Sequence, residues 1–142
     1  PYASVGGFDD IAGLVEAYRN GQADGGIEGT PDDILVTLHT HVAETDEAAR
    51  RTAADAFDLY VDSRLYARKQ TYDDIMASGL SLMGGVDTVR DKLSALAGMG
   101  VEHLVTLHNF GLIPVAEVEA SMRRLRRSAL PLADTRQGAE AV

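Results

Sequence analysis

The segment Ile34-Leu35-Val36-Thr37-Leu38-His39-Thr40-His41-Val42 constrains the fold of this chain more than any other. Alternate side chains of a strand point to opposite faces. Ile34, Val36, Leu38, Thr40 and Val42 therefore share one face, and Leu35, Thr37, His39 and His41 share the other. A long, mostly apolar run of this kind suits a strand covered on both faces, which is the situation inside a parallel sheet. A parallel neighbour can be reached only through a crossover, so helices must separate the strands.

The flanking sequence supplies those helices. Ile11, Leu14, Val15 and Tyr18 recur at helical spacing from Phe8 to Asn20, with Asp9 and Asp10 in the first turn, and a glycine-rich loop runs on to Pro31. Thr45 can cap a helix whose inner face is Ala49, Ala53, Phe57, Tyr60, Val61 and Leu65. A short helix is expected from Tyr72 to Ala77. Gly84 and Gly85 are read as opening the next helix, which carries Val86, Val89, Leu93 and Leu96 and stops at Gly98 and Gly100. Val101 to Asn109 is a second strand. Pro114 stands near the start of a last helix with the stripe Val115, Val118, Met122, Leu125 and Ala129, ended by Pro131. Arg123, Arg124, Arg126 and Arg127 lie mainly off that stripe and are read as a solvated face.

The two strands echo one another. Leu35-Val36-Thr37-Leu38-His39-Thr40 is matched by Leu104-Val105-Thr106-Leu107-His108-Asn109, and each copy is followed by a loop and a helix. Equivalent strand–helix units fit a (β/α)8 barrel wall. Such a barrel takes roughly 250 residues, and this chain has 142, so it can supply only the last few units. Open parallel edges invite association, which makes a partner chain or an oligomer the expectation. Residues 1–131 are read as the folded part and 132–142 as a flexible tail.

Composition removes several classes of function. The formal charge is −9, which repels phosphate backbones and argues against nucleic acid as a partner. There is no cysteine, so disulfides, thiolate metal sites and a cysteine nucleophile are excluded, in keeping with a reducing, cytoplasmic setting. No apolar stretch is long enough to span a membrane. Ser81, Ser94 and Ser121 lack the Gly-x-Ser-x-Gly elbow of serine hydrolases.

A family resemblance rests on several segments in order: Pro1-Tyr2-Ala3-Ser4-Val5-Gly6-Gly7 before the first helix; Leu38-His39-Thr40 with Val42 to Arg50; and Arg64 to Lys69 with Thr71-Tyr72-Asp73. The closing part adds Gly84 to Val89, Leu96-Ala97-Gly98-Met99-Gly100-Val101-Glu102-His103, Asn109-Phe110-Gly111-Leu112-Ile113-Pro114, Ser121-Met122-Arg123 and Leu130-Pro131. Together they resemble the C-terminal portion of the luciferase-like, flavin-dependent monooxygenases. The resemblance implies an incomplete (β/α)8 barrel. It also implies reduced FMN, or alternatively a deazaflavin, working with O2 on a small organic substrate. Family members usually have Ser or Thr, then Pro, where Gly85 and Val86 stand, so the helix cap is weaker here. The family's N-terminal half, which supplies much of its flavin site, has no counterpart in the chain, so this chain alone is expected not to hold the cofactor.

A barrel carries its active site at the C-terminal ends of its strands. That location selects His39, His41 and His108 as candidate catalytic groups, able to hydrogen-bond a flavin or substrate oxygen as donor or as base. Asn109 and Phe110 are the candidate cofactor contacts, through an amide donor and an aromatic wall. His103 lies at the opposite end and is read as structural. Two other readings stay open. One is a truncated barrel that serves only as an association partner. The other is a metal-dependent hydrolase using the His39-Thr40-His41 pair, which would need further ligands from later strands; no metal ligand is assigned.

Overall fold

The computed structural model describes residues 6–30, 33–64 and 69–139, with residues 130–139 described as backbone. Pro1 to Val5, Leu65 to Arg68 and the chain end, which carry parts of the expected resemblance, helix face and tail, lie outside the described residues. The order of elements is α1 (Asp10–Asp24), β1 (Leu35–Ala43), α2 (Asp46–Asp62), α3 (Tyr72–Ser78), β2 (Ser81–Gly85), α4 (Val86–Gly98), β3 (His103–Leu107) and α5 (Val115–Ala139). The three strands form one parallel sheet in the order β2-β1-β3.

That order is not the sequential one of a barrel wall. Consecutive barrel strands step in one direction, which would place β2 between β1 and β3 and all the helices on one side. Here the chain steps one way from β1 to β2 and back past β1 to β3. Crossovers of one hand that step in opposite directions must pass over opposite faces of the sheet, and the helices are distributed that way. Ala53, Ala56, Phe57 and Val61 of α2 and Ile75 of α3 pack with Met83 on the face that carries His39. Val89 and Leu96 of α4 and Ile11 of α1 pack with Leu38, Val42 and Leu82 on the other. Helices therefore lie on both faces of β2 and of the second half of β1, while Leu35, Thr37 and Val105, on the His39 face nearer the start of the strands, are exposed.

Strand β2 was not legible in the sequence. Ser81-Leu82-Met83-Gly84-Gly85 has neither alternation nor β-branched residues, yet every position is buried, because helices cover both of its faces. Gly85 ends β2 and is also the N-cap of α4, where it has no side chain to offer. Asp46, in the first turn of α2, ties this junction from outside. Its Oδ1 accepts the Gly85 N–H at 2.6 Å and its Oδ2 accepts the Thr88 hydroxyl at 3.0 Å. A Cβ on Gly84 would lie 2.9 Å from Asp46 Oδ1, so the glycine pair permits the approach that the carboxylate then holds. On the outer side of β2, Lys92 Nζ donates to the carbonyls of Gly79 and Ser81, which blunts the strand edge.

The helices follow the sequence with three departures. Thr45 caps α2 through the Ala48 N–H, and Thr71 with Asp74 closes a capping box on α3. Helix α1 runs past Asn20 to Asp24, since Arg19 and Gln22 are tied to Thr30 and Asp33 of the following loop. Helix α5 is rotated from the expected stripe: Val115 and Met122 are exposed, and Ser121 and Ser128 are buried beside Val118 and Leu125. Small hydroxylated residues let α5 approach and bond its neighbours, with Ser121 accepting the Val42 N–H of β1 and Ser128 donating to the Val86 carbonyl of α4. The helical backbone also continues through Pro131 to Ala139. A proline removes one hydrogen bond from a helix, and its neighbours Leu130, Leu132 and Ala133 are strong helix formers.

Two glycine substitutions test this packing. A Cβ on Gly111, where φ is 57°, would fall 1.6 Å from the Ala56 carbonyl oxygen. Gly111→Ala is expected to cost roughly 2–4 kcal/mol of stability. Gly13 stands within α1 with open space around it, and Gly13→Ala is expected to add about 0.5–1 kcal/mol. Denaturant midpoints measure both, and similar small effects at the two positions would contradict the close contact between the β3–α5 loop and α2.

Candidate functional site

The carboxyl ends of the strands are uneven, and this creates the site. β3 ends at Leu107, level with His39, whereas β1 continues to Ala43 alongside β2. Past His39 the β3 side of β1 is taken by α5. Ser121 Oγ accepts the Val42 N–H at 2.8 Å, and Arg124 donates to the Val42 carbonyl at 3.4 Å and to Glu44 at 2.8 Å. The chain leaving β3 turns through Gly111 and Leu112, both at positive φ, before α5 begins. Leu112 is a bulky residue in the left-handed region, a conformation that costs of order 1 kcal/mol or more, and its side chain is 86% exposed.

The three histidines named from the sequence come to this end of the sheet. His39 stands among aromatic rings, with centroids 5.3 Å from Phe57, 5.0 Å from Tyr60 and 5.5 Å from Phe110. Its Nε2 is buried and has no protein partner. His41 is 1% exposed, and neither of its ring nitrogens has a protein partner. His108 is buried, with Nδ1 3.0 Å from Ser121 Oγ. Burial holds all three imidazoles below the usual histidine range. The Arg64 guanidinium adds to this at His39, and the nearby His41 adds to it at His108. At His41, Glu117 pulls upward and Arg124 downward.

The two expected cofactor contacts separate. Asn109 is exposed on the loop after β3, free to meet a ligand. Phe110 is buried in the cluster of Phe57, Val61, Tyr72 and Met83. In this chain its ring therefore serves as core and is not an open wall, because Gly111 draws the loop down onto α2. His103 opens β3 opposite Leu35, at the far end of the sheet. Among the described residues, no three His, Asp or Glu side chains are placed to hold a metal ion. None of the described helices is long and apolar enough to cross a membrane.

Residues that sequence reasoning missed complete the site. Ser121, Arg124 and Glu44 tie α5 to the end of β1, and Tyr60 closes the aromatic ring around His39. Arg124 and Arg127 hold the Glu44 carboxyl below its usual range, the hydrogen bond from Arg124 being the main cause. A groove of about 600 Å³ beside them is lined by Glu44, Ala120 and Arg123, Arg124, Arg126 and Arg127. Nothing local marks Ser121, which lies 79 positions from the peptide it binds.

An open α/β sheet with polar groups gathered outside the carboxyl ends of its strands is a common setting for ligand binding and catalysis. No family model and no curated protein matches the chain. Among solved structures, the fold is similar to the crystal structure of monooxygenase RslO1 from Streptomyces bottropensis, with a TM-score of 0.69 and 23% identity. That match covers 88% of this chain and 38% of the RslO1 chain. It is also similar to the crystal structure of apo-MsnO8, with a TM-score of 0.58 and 19% identity over 84% of this chain and 41% of that one. The chain thus spans less than half the length of either neighbour, and the likeness is one of fold.

The buried histidines make stability depend on pH in a defined direction. Each is held neutral in the folded chain, whereas the unfolded chain takes up protons near the ordinary value of 6.5. The folded state is therefore fully favoured above that value and loses stability as the pH falls below it towards the depressed folded-state values. His41→Leu removes an imidazole whose two nitrogens lack protein partners. It is expected to leave stability at pH 7.5 unchanged or raised and to flatten its loss between pH 7 and 5. Urea unfolding across that range is the measurement; an unchanged slope would mean His41 is solvated or bonded in the folded chain.

Proposed function

We propose that the chain acts as the C-terminal part of a luciferase-like, flavin-dependent monooxygenase, completed by the remainder of that fold on the same or a partner chain. The observation that carries this reading is the gathering of His39, His41 and His108 at the carboxyl ends of the strands, in a fold similar to that of monooxygenase RslO1. The unpartnered nitrogens of His39 and His41 fit the group the reading implies, since they offer buried polar positions to a ligand or a bound water. Reduced FMN, or alternatively a deazaflavin, supplies the reaction with O2 when bound.

The protein's part is to bind, orient and exclude water. His39 and His108 hold neutral imidazoles against the reacting centre, as hydrogen-bond donors or proton carriers, and Asn109 offers an exposed amide to a ring carbonyl of the cofactor. The aromatic ring of Phe57, Tyr60 and Phe110 keeps water from the His39 side. The substrate is a small organic molecule and the setting cytoplasmic, in keeping with a chain that lacks cysteine. The exposed Leu35 and Val105 on the β1–β3 face favour a second reading, in which the chain is a non-catalytic association partner.

Isolation of the native assembly that contains this chain, with its visible spectrum and metal content, tests the proposal. We expect flavin bands in the assembly and none in the chain alone, and a fall of at least about tenfold in turnover for His108→Ala with flavin retained. An assembly without flavin favours the association role, and stoichiometric zinc without flavin sinks the oxygenase reading.

The barrel form of the proposal makes a separate demand, since consecutive barrel strands would put β3 beside β2. In the chain alone, Thr37 and Val105 are paired across β1 and β3. A Thr37→Cys, Val105→Cys pair should therefore crosslink in the chain alone and block formation of a barrel assembly. A crosslinked chain that still enters a flavin-bearing assembly would overturn the barrel while leaving the oxygenase in place.

A further inference from the structure

We infer that Ser121 is a positioning residue that fixes the tautomer of His108, with the ring proton on Nε2. The Ser121 side chain is fully buried, so no bulk water competes for it. Its Oγ accepts the Val42 N–H at 2.8 Å and lies 3.0 Å from His108 Nδ1. A hydroxyl has one proton and two acceptor positions. The Val42 peptide can only donate, so among the described contacts Nδ1 is the acceptor within reach of the hydroxyl proton; the opposite direction would leave that proton buried without a partner.

Ser128, two turns further along α5, shows the alternative. Its Oγ faces the carbonyls of Val86 and Arg124, at 3.1 and 3.2 Å, and spends its proton there. The described contacts of Ser121 are a peptide N–H and an imidazole nitrogen, with no carbonyl between them. The hydrogen-bond direction therefore runs from β1 to α5 to the loop after β3. It links three elements that meet only in the folded chain. His108 is left presenting an N–H and no free lone pair, so it acts as a hydrogen-bond donor and not as a base. That last consequence for chemistry rests on the proposed oxygenase; the tautomer does not.

Imidazole nitrogen chemical shifts of the 15N-labelled full chain at neutral pH read the tautomer directly. We expect Nδ1 of His108 in the unprotonated range and Nε2 in the protonated range. In Ser121→Ala the signals should move towards the Nδ1–H form or an average of the two, while those of His103, at the far end of the sheet, stay in place. Protonated Nδ1 in the unaltered chain overturns the inference, and so does an unchanged tautomer in a folded Ser121→Ala. If Ser121→Ala does not fold, the unaltered chain decides alone. Failure of the flavin proposal would leave these signals where they are.

Discussion

Strand β1 has hydrogen-bonding partners on both sides, and the rest of the chain is arranged to provide them. β2 lies against its second half, β3 against its first half, and Ser121 meets the backbone where β3 has ended. A buried peptide group without a partner is costly, so the buried second half of β1 needs both edges filled. Three elements do this, drawn from residues 42 to 79 positions along the chain from their β1 partners. The Ser121 bond is the one that a side chain supplies in place of a strand. It is also the bond that brings α5 to the carboxyl ends and His108 to its position.

The same end of the sheet is where local preferences are overridden. His41 is buried with two unpartnered nitrogens, a state that costs about 1–3 kcal/mol for each such group. Leu112 occupies a backbone region that bulky side chains avoid. Elsewhere the levels agree in α2 and α3, where Thr45 and Thr71 cap their helices and the inner apolar residues are covered. These two breaks lie together, at the end of β1 and in the loop after β3.

Much of this was open to a reader of the sequence. The apolar run from Ile34 to Val42 and the spacing of Ala49, Ala53 and Phe57 correspond to β1 and the buried face of α2. The positions of His39, His41 and His108 at strand ends followed from where the strands stop. Three features escaped. Ser81 to Gly85 has no periodic signal because both of its faces are buried. The stripe on α5 was drawn through Val115 and Met122, since hydrophobicity alone gives no weight to a serine that bonds a strand. The sequence places Phe110 beside a strand end, and its ring is drawn into the core by the close approach of Gly111 to Ala56.

By itself the sequence determined the segments that become β1, β3 and the helices, that the strands run parallel, and which chemical groups reach the carboxyl ends of β1 and β3. Those are local matters, set by side-chain alternation, capping and chain reversal within a few residues. The order β2-β1-β3 and the rotation of α5 were decided only in the tertiary structure, as was the tautomer inferred for His108. A strand's edges do not differ in sequence, so which neighbour fills each one depends on how helices of one crossover hand can cover two faces at once. The proton on an imidazole depends on a hydroxyl 13 residues away, whose own acceptor site is taken by a third element.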